Sequence, residues 1–277
     1  MEFIKMHGLG NDYVFVDCLE HELEDPGKIA LRISQRHFSV GSDGLILILP
    51  SERADFRMEM YNADGSRGSM CGNGIRCLGK YVYEHGKTEK KMLEVETDAG
   101  IRKLSLLVKE ERVQAVRVDM GVPQFRTEKI PVNFPKKQVI REKVPVGENV
   151  FEITCLSMGN PHCVIFVEDA DAVDLERYGP LLERHALFPD RTNVEFVEAQ
   201  TENRLKMRVW ERGSKETYAC GTGACAAVAA AAVSGYCSPR AEVHLIGGEL
   251  LIHWDMSSRH IYMTGPAVEV CTGVWKE

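Results

Sequence analysis

The chain carries the same glycine turn twice, as Cys71-Gly72-Asn73-Gly74 and as Cys220-Gly221-Thr222-Gly223, each running into an apolar, helix-forming segment. The two cysteines stand 220 − 71 = 149 residues apart, and other landmarks keep that spacing: Gly10-Asn11 matches Gly159-Asn160, and Gly44 falls opposite Asn193. Such a repeat means a duplicated unit, which constrains the fold more than any local pattern does. It predicts two pseudo-symmetric domains with their equivalent thiols facing each other across a cleft, where an active site is expected. Two thiols so placed can take a proton from one face of a carbon and return one to the other.

The bulk properties exclude several rivals. A chain of 277 residues and 31.1 kDa is long enough to bury roughly 75% of its unfolded surface and to form about two domains. Hydrophobic residues at 44% and charged residues at 27% are ordinary globular usage. No apolar run approaches the ~20 residues of a membrane span, so no membrane partner is expected. The opening stretch lacks the basic and apolar regions of a signal peptide. The nine cysteines, an odd number, therefore read as thiols in a reducing cytoplasm and not as a disulfide framework. A formal net charge of −7 offers no basic footprint for nucleic acid.

Periodicity predicts strands interrupted by a few helices. Strands are expected at Phe3 to Met6, Tyr13 to Asp17, Leu45 to Leu49 and Phe56 to Tyr61, and a helix after Pro26 carrying Ile29, Ile33 and later Phe38. Past the first glycine turn, Ile75, Leu78, Tyr81 and Val82 recur at helical spacing before Gly86. Strands around Leu93 to Thr97, Lys103 to Val108 and Val113 to Met120 finish a first domain at 1–119. Residues 127–150, with Pro131, Pro135, Pro145 and Gly147, read as a connecting stretch. The second domain, 120–265, repeats the plan with strands at Phe151 to Leu156, Cys163 to Glu168, Asn193 to Glu198 and Leu205 to Trp210, and a helix near Leu175 to His185. The segment Ala224 to Val233 is apolar all round, which suits a helix buried on every side. Each half is read as a mixed, mostly antiparallel sheet or barrel around a central helix, hence α+β.

A cysteine at such a turn sits at a helix N-terminus, where unpaired N–H groups and the helix dipole favour an anion and lower the thiol pKa. Glycine after the cysteine lets a ligand approach the backbone, so the same N–H groups could hold a carboxylate beside the sulfur. Removing the α-hydrogen of an amino acid pushes negative charge onto its carboxylate, and donors aimed there stabilise it. No pyridoxal-type lysine is apparent, so the thiols would work without a cofactor.

Other readings compete on residue type alone. Cys18, Cys77, Cys155, Cys163, Cys225, Cys237 and Cys271 read as small buried hydrophobes. Asn11, Asn62, Asn160 and Asn193 could be turn residues, His162 a core histidine, and Glu211-Arg212 a surface pair. A zinc protein is disfavoured because no Cys-x-x-Cys occurs. A non-catalytic anion-binding module could use the glycine turns but needs neither cysteine. Another amino-acid racemase built on two thiols, of the proline racemase kind, stays open.

Across nearly its whole length the chain resembles the diaminopimelate epimerase family, through Lys5 to Asp12, Tyr61 to Ser66, Met70 to Cys77, Gly159 to His162, Asn193 to Phe196, Glu211 to Gly213 and Ala219 to Gly223. The resemblance implies a cofactor-independent, metal-free epimerase that interconverts LL- and meso-diaminopimelate. By the same resemblance Cys71 and Cys220 are acid and base, with His162 and Glu211 assisting. Backbone donors at Gly72, Asn73, Gly221 and Thr222 would hold the reacting carboxylate. Asn11, Asn62, Asn160, Asn193, Glu211 and Arg212 would grip the substrate. The family further implies a homodimer and a C-terminal strand, 266–277, returning to the first domain. Gly44 departs from the glutamine often found there, and glycine cannot supply that side-chain contact.

Overall fold

Residues Phe56–Asn62 alternate buried Phe56, Met58 and Met60 with half-buried Arg57 and Glu59, and fold as the half-buried strand that this period demands. Leu45 to Ile48 are all buried, so that strand is covered on both faces. The computed structural model describes residues 1–276. Its first half contains β1 (Glu2–Gly8), β2 (Asn11–Asp17), α1 (Pro26–Ile33), β3 (Gly44–Leu49), β4 (Phe56–Asn62), β5 (Arg67–Gly68), α2 (Gly72–Glu84), β6 (Met92–Thr97), β7 (Gly100–Lys109) and β8 (Arg112–Gly121). The second contains β9 (Glu142–Val146), β10 (Asn149–Ser157), β11 (Pro161–Val167), α3 (Leu175–Glu183), β12 (Asn193–Thr201), β13 (Arg204–Glu211), β14 (Lys215–Glu216), α4 (Gly221–Ser234), β15 (Arg240–Leu245), β16 (Gly248–Trp254) and β17 (Ile261–Gly265). A last strand, β18 (Val268–Val274), follows. Two compact units result, one of Met1–Asp119 with the segment from Thr264 onward, the other Met120–Met263.

The duplication shows in the strand ladders. In the first half β1 pairs antiparallel with β2, β2 runs parallel to β3, and β3 pairs antiparallel with β4. Strand β4 then lies antiparallel to β5 and parallel to β6. In the second half β10 to β13 repeat that sequence of pairings, and β13 lies antiparallel to β14 and parallel to β15. The register is shared: Tyr13 lies opposite Gly44 as His162 lies opposite Asn193, and Leu45 opposite Tyr61 as Val194 opposite Trp210. Each repeat adds one strand to its first, β18 on β1 and β9 on β10. The fold is α+β.

In each unit the helix that follows the glycine turn packs against the strands. In α4 every residue from Gly223 to Ala231 is buried, because β10, β11, β12, β13, β15 and β16 all pack on it. The helix can do without a polar face since no face meets water. Helix α2 is amphipathic and turns Ile75, Cys77, Leu78, Tyr81 and Val82 inward against β1, β2 and β7.

Three expectations need correction. Phe38 is not part of α1: the helix ends at Ile33, His37 adopts φ 74°, which no right-handed helix accommodates, and Phe38 is 88% exposed. The stretch 127–150 is more than a connection, because it contains β9 and contributes buried Ile130, Val132, Val139, Val144 and Val146 to the second core. Proline gives no N–H to a ladder, so Pro145 reads as a break, yet it lies within β9 opposite Val150. Of the cysteines read as buried, Cys18, Cys77, Cys155, Cys163 and Cys225 are so, but Cys237 is half-buried and Cys271 on β18 is exposed.

Candidate active site

Each glycine turn builds the same local structure. Cys71 (φ −127°, ψ 118°) and Cys220 (φ −112°, ψ 108°) are extended N-cap residues of α2 and α4, and each sulfur accepts from the third helical residue, Gly74 N–H at 3.3 Å and Gly223 N–H at 3.4 Å. The sulfur takes the place of the usual capping oxygen, and the first helical N–H groups have no intrahelical acceptor. The last glycine of each motif lies directly over a buried side chain. A Cβ on Gly74 would stand 2.4 Å from Ile46 Cδ1, and one on Gly223 2.9 Å from Glu195 Oε1.

In the first unit, half-buried Cys71 donates its thiol to Asn11 Oδ1 at 3.3 Å, and Asn73 Nδ2 donates to the same oxygen at 3.1 Å. Asn11 is held from behind, its Nδ2 donating to Asp43 Oδ2 at 2.8 Å. Asp43 in turn pairs with Arg36, which also binds Asp12. The Tyr13 hydroxyl faces the Cys71 sulfur closely enough to influence its ionisation. Arg76, fully buried, donates to the carbonyls of Gly72 and Pro266 at 3.1 Å each, fastening the helix start to the returning segment. Asn62 lies opposite Gly44, but its amide donates to Ser66 in its own turn at 3.0 Å.

Gly44 leaves no room for a side chain, since a Cβ there would stand 2.1 Å from the Tyr61 carbonyl oxygen. Either strand β3 or β4 would have to move. Gly44→Ala is expected to cost about 3 kcal/mol or more, at the upper end of overpacking penalties. A thermal melt that superimposes on the wild type would disprove this.

The second unit assembles more titratable groups. Cys220 is buried and lies 3.5 Å from Thr222 Oγ1, with the Glu211 carboxylate near enough for its charge to act on the thiol. Thr217 donates to Glu211 Oε1 at 2.6 Å. Asn160 Nδ2 donates to Thr222 Oγ1 at 3.3 Å, the counterpart of the Asn73–Asn11 bond in the first repeat. His162 is buried, with Nε2 3.0 Å from Asn160 Oδ1 and Nδ1 2.7 Å from Glu195 Oε1. Asn193 is a brace: its Nδ2 donates to the Pro161 carbonyl and its Oδ1 accepts from Arg212 N–H at 2.9 Å. Arg212 itself is exposed, with Nη1 donating to the Asp190 carbonyl at 3.0 Å.

Burial overrules the pKa expected at these turns. Loss of water raises the Cys71 thiol above its ordinary value, and the N–H of Gly74 and the Tyr13 hydroxyl offset only part of that. Burial and then the negative charge of Glu211 and Glu195 push the Cys220 thiol higher still. Burial also raises the Glu211 carboxyl, against the hydrogen bond from Thr217. Burial thus favours the protonated form of both thiols in the resting protein. A reaction needing one thiolate and one thiol should speed up as pH rises and one proton leaves, then slow when both are lost. A bell-shaped kcat/KM is expected, with its rising limb on the alkaline side of an ordinary thiol and both limbs belonging to the coupled pair. A rate that climbs without a maximum while the protein stays folded would show that one thiol alone titrates.

Sequence reasoning passed over Tyr13, Asp43, Thr217 and Glu195. Tyr13 carried a usable signal, since 162 − 149 = 13 makes it the counterpart of His162. Glu195 lay inside a recognised motif without a role.

The duplicated α+β fold is shared with proteins of known structure. A Bacillus anthracis phenazine biosynthesis protein of the PhzF family matches with a TM-score of 0.72 at 21% identity, over 99% of this chain and 98% of its own. A hydroxyproline epimerase from Agrobacterium vitis, solved with bound trans-4-hydroxy-L-proline, also matches at 0.72, with 14% identity over 99% of this chain and 91% of its own. At those identities the likeness is one of fold. The sequence is more specific: the diaminopimelate epimerase family model matches residues 3–126 and 154–270, and the chain belongs to that family. Its relatives named diaminopimelate epimerase include one from Acetivibrio thermocellus, 53% identical over 99% of this chain and 98% of the relative. One from Methanococcus maripaludis is 51% identical over 99% of both.

Proposed function

We propose that the protein is an isomerase that inverts one α-carbon of LL-diaminopimelate to give meso-diaminopimelate, in the route to lysine and peptidoglycan precursors. The carrying observation is the family match together with two cysteines capping two equivalent helices. Cys71 and Cys220 act on opposite faces of the α-carbon, one as thiolate base and the other as thiol acid, and exchange roles with reaction direction. Glu211, its carboxyl raised by burial and its charge acting on Cys220, takes or returns the proton of that thiol. The N–H groups of Gly72, Asn73, Gly221 and Thr222 receive the reacting carboxylate, where helix N-termini favour negative charge. Asn11, Asn62, Asn160, Asn193 and Arg212 bind or brace around the rest of the substrate, Asn193 by fixing the backbone of Arg212.

The reaction supplies its own assay. Purified protein incubated with LL-diaminopimelate in deuterated water should place deuterium at one α-carbon of the meso product. Absence of label after prolonged incubation would refute the assignment. The enzyme is further proposed to be a cytoplasmic homodimer, in keeping with its family and its cysteine usage. No helix among the described residues is long and apolar enough to cross a membrane. Light scattering on the eluting protein checks the dimer, which a mass near 31.1 kDa would contradict.

A further inference from the structure

The second unit buries Glu183, which is bonded to Trp210 and Gly213, and Glu195, and the acid–base scheme uses neither. Glu195 on β12 is fully buried, its Oε1 lies 2.7 Å from His162 Nδ1, and its Oε2 has no hydrogen-bond partner. Burying an ionisable group there is less favourable than burying an apolar side chain of similar volume. The duplication provides the comparison, because 195 − 149 = 46 and Ile46 is also fully buried. The two side chains hold equivalent places, each lying directly under the last glycine of its turn. The fold is therefore satisfied with isoleucine at this position, and packing does not explain a carboxylate in the second copy. What differs beside it does: the first repeat has Tyr13 where the second has His162.

Hydrogen-bond directions show what the carboxylate accomplishes. The amide nitrogen of Asn160 is committed to Thr222 Oγ1, so Asn160 presents only an acceptor to His162 Nε2. With the amide so oriented, the Nε2–Asn160 bond calls for the proton on Nε2. On the other side of the ring a proton is held between Nδ1 and Glu195 Oε1. Which ring nitrogen is protonated follows from the bond the other makes. We infer that Glu195 is a positioning residue: it clamps the His162 ring with Nε2–H on Asn160, and through Asn160 it orients the Thr222 hydroxyl beside Cys220. The other ionisable groups coupled to this pair are Glu211, Cys220 and Cys163. The role rests on the epimerase reading above.

Glu195→Gln keeps a hydrogen-bonding group beside Nδ1 and removes the carboxylate, whereas Glu195→Ile installs the side chain that the first repeat already tolerates. Turnover of LL-diaminopimelate should fall about 10-fold in Glu195→Gln and about 100-fold in Glu195→Ile, the range typical when a group supporting an active histidine is lost. KM should move by less than about threefold, since the residue stands behind the binding groups. Nitrogen-15 NMR of labelled histidine, with His162 assigned by a His162→Gln spectrum, should show Nε2 protonated in the wild type and a mixture of tautomers in Glu195→Ile. Wild-type turnover in Glu195→Ile would overturn the inference. So would a fall in turnover with unchanged His162 ring signals, because the loss would then bypass the ring. If Glu195→Ile does not fold, Glu195→Gln decides by the same readouts. Failure of the wild type to exchange an α-hydrogen would instead remove the epimerase reading, and the ring signals would still report whether the clamp exists.

Discussion

Cys71→Ala and Cys220→Ala are each expected to abolish epimerisation while leaving the fold intact. Either change removes the acid or base from one face of the carbon, a loss on the order of 100- to 10,000-fold or more in turnover, about 3 to 5 kcal/mol of barrier. The structural cost is smaller. Each sulfur caps a helix by accepting one N–H bond, and losing a cap costs about 1 kcal/mol. Alanine also leaves little void, because sulfur is the only heavy atom removed. Circular dichroism should therefore match the wild type while turnover collapses, and the two variants should be about equally impaired. Near-wild-type turnover in either one would end the two-base mechanism. An inactive variant with a lost melt would show only that the cap is structural, so Cys→Ser, which restores a capping oxygen but not a thiol, completes the test.

The offset of 149 residues made most of this legible, because a duplication is written in the sequence at matching positions whether or not any single residue is informative. It located both capping cysteines, the Asn11–Asn160 pair and the central helices. Local pattern failed where tertiary context overrode it. Phe38 fits the helical period, but the chain turns at His37 and puts the ring in water. Pro145 looks like a break, yet Val144 and Val146 on either side are buried and keep the strand in place. The thiol pKa values were misjudged for a similar reason: a motif shows the N–H donors, while the burial that outweighs them comes from strands far away in sequence. The supporting shell was least visible. Asp43, Thr217 and Glu195 act by reaching another side chain, and that is a property of the folded ladder, not of spacing.

Specificity is the second large effect, and it separates this enzyme from a general amino-acid racemase. The reacting carboxylate is proposed to be served by backbone N–H groups at the two helix starts, which leaves Asn62, Asn160 and Arg212, with Asn193 bracing Arg212 from behind, as more polar groups than one α-amino acid head requires. That surplus suits a second ammonium and carboxylate. Arg212 is the group most suited to the carboxylate: its backbone is pinned by Asn193 and one guanidinium nitrogen by Asp190, and the planar fork has five donors in all. A site built to hydrogen-bond such groups rejects analogues lacking them, because its own polar atoms go unpaired, and the discrimination can reach roughly 10,000-fold or more. Lysine lacks the distal carboxylate and proline has one amino-acid end. Neither should exchange its α-hydrogen measurably in deuterated water under conditions where LL-diaminopimelate turns over. Arg212→Met should lower kcat/KM for diaminopimelate about 10- to 100-fold, what a hydrogen bond to a charged group is worth at ~1.5–3 kcal/mol. Proline racemised at a comparable rate, or diaminopimelate turnover indifferent to Arg212→Met, would move the substrate to a smaller amino acid and leave the surplus polar groups as turn and brace residues.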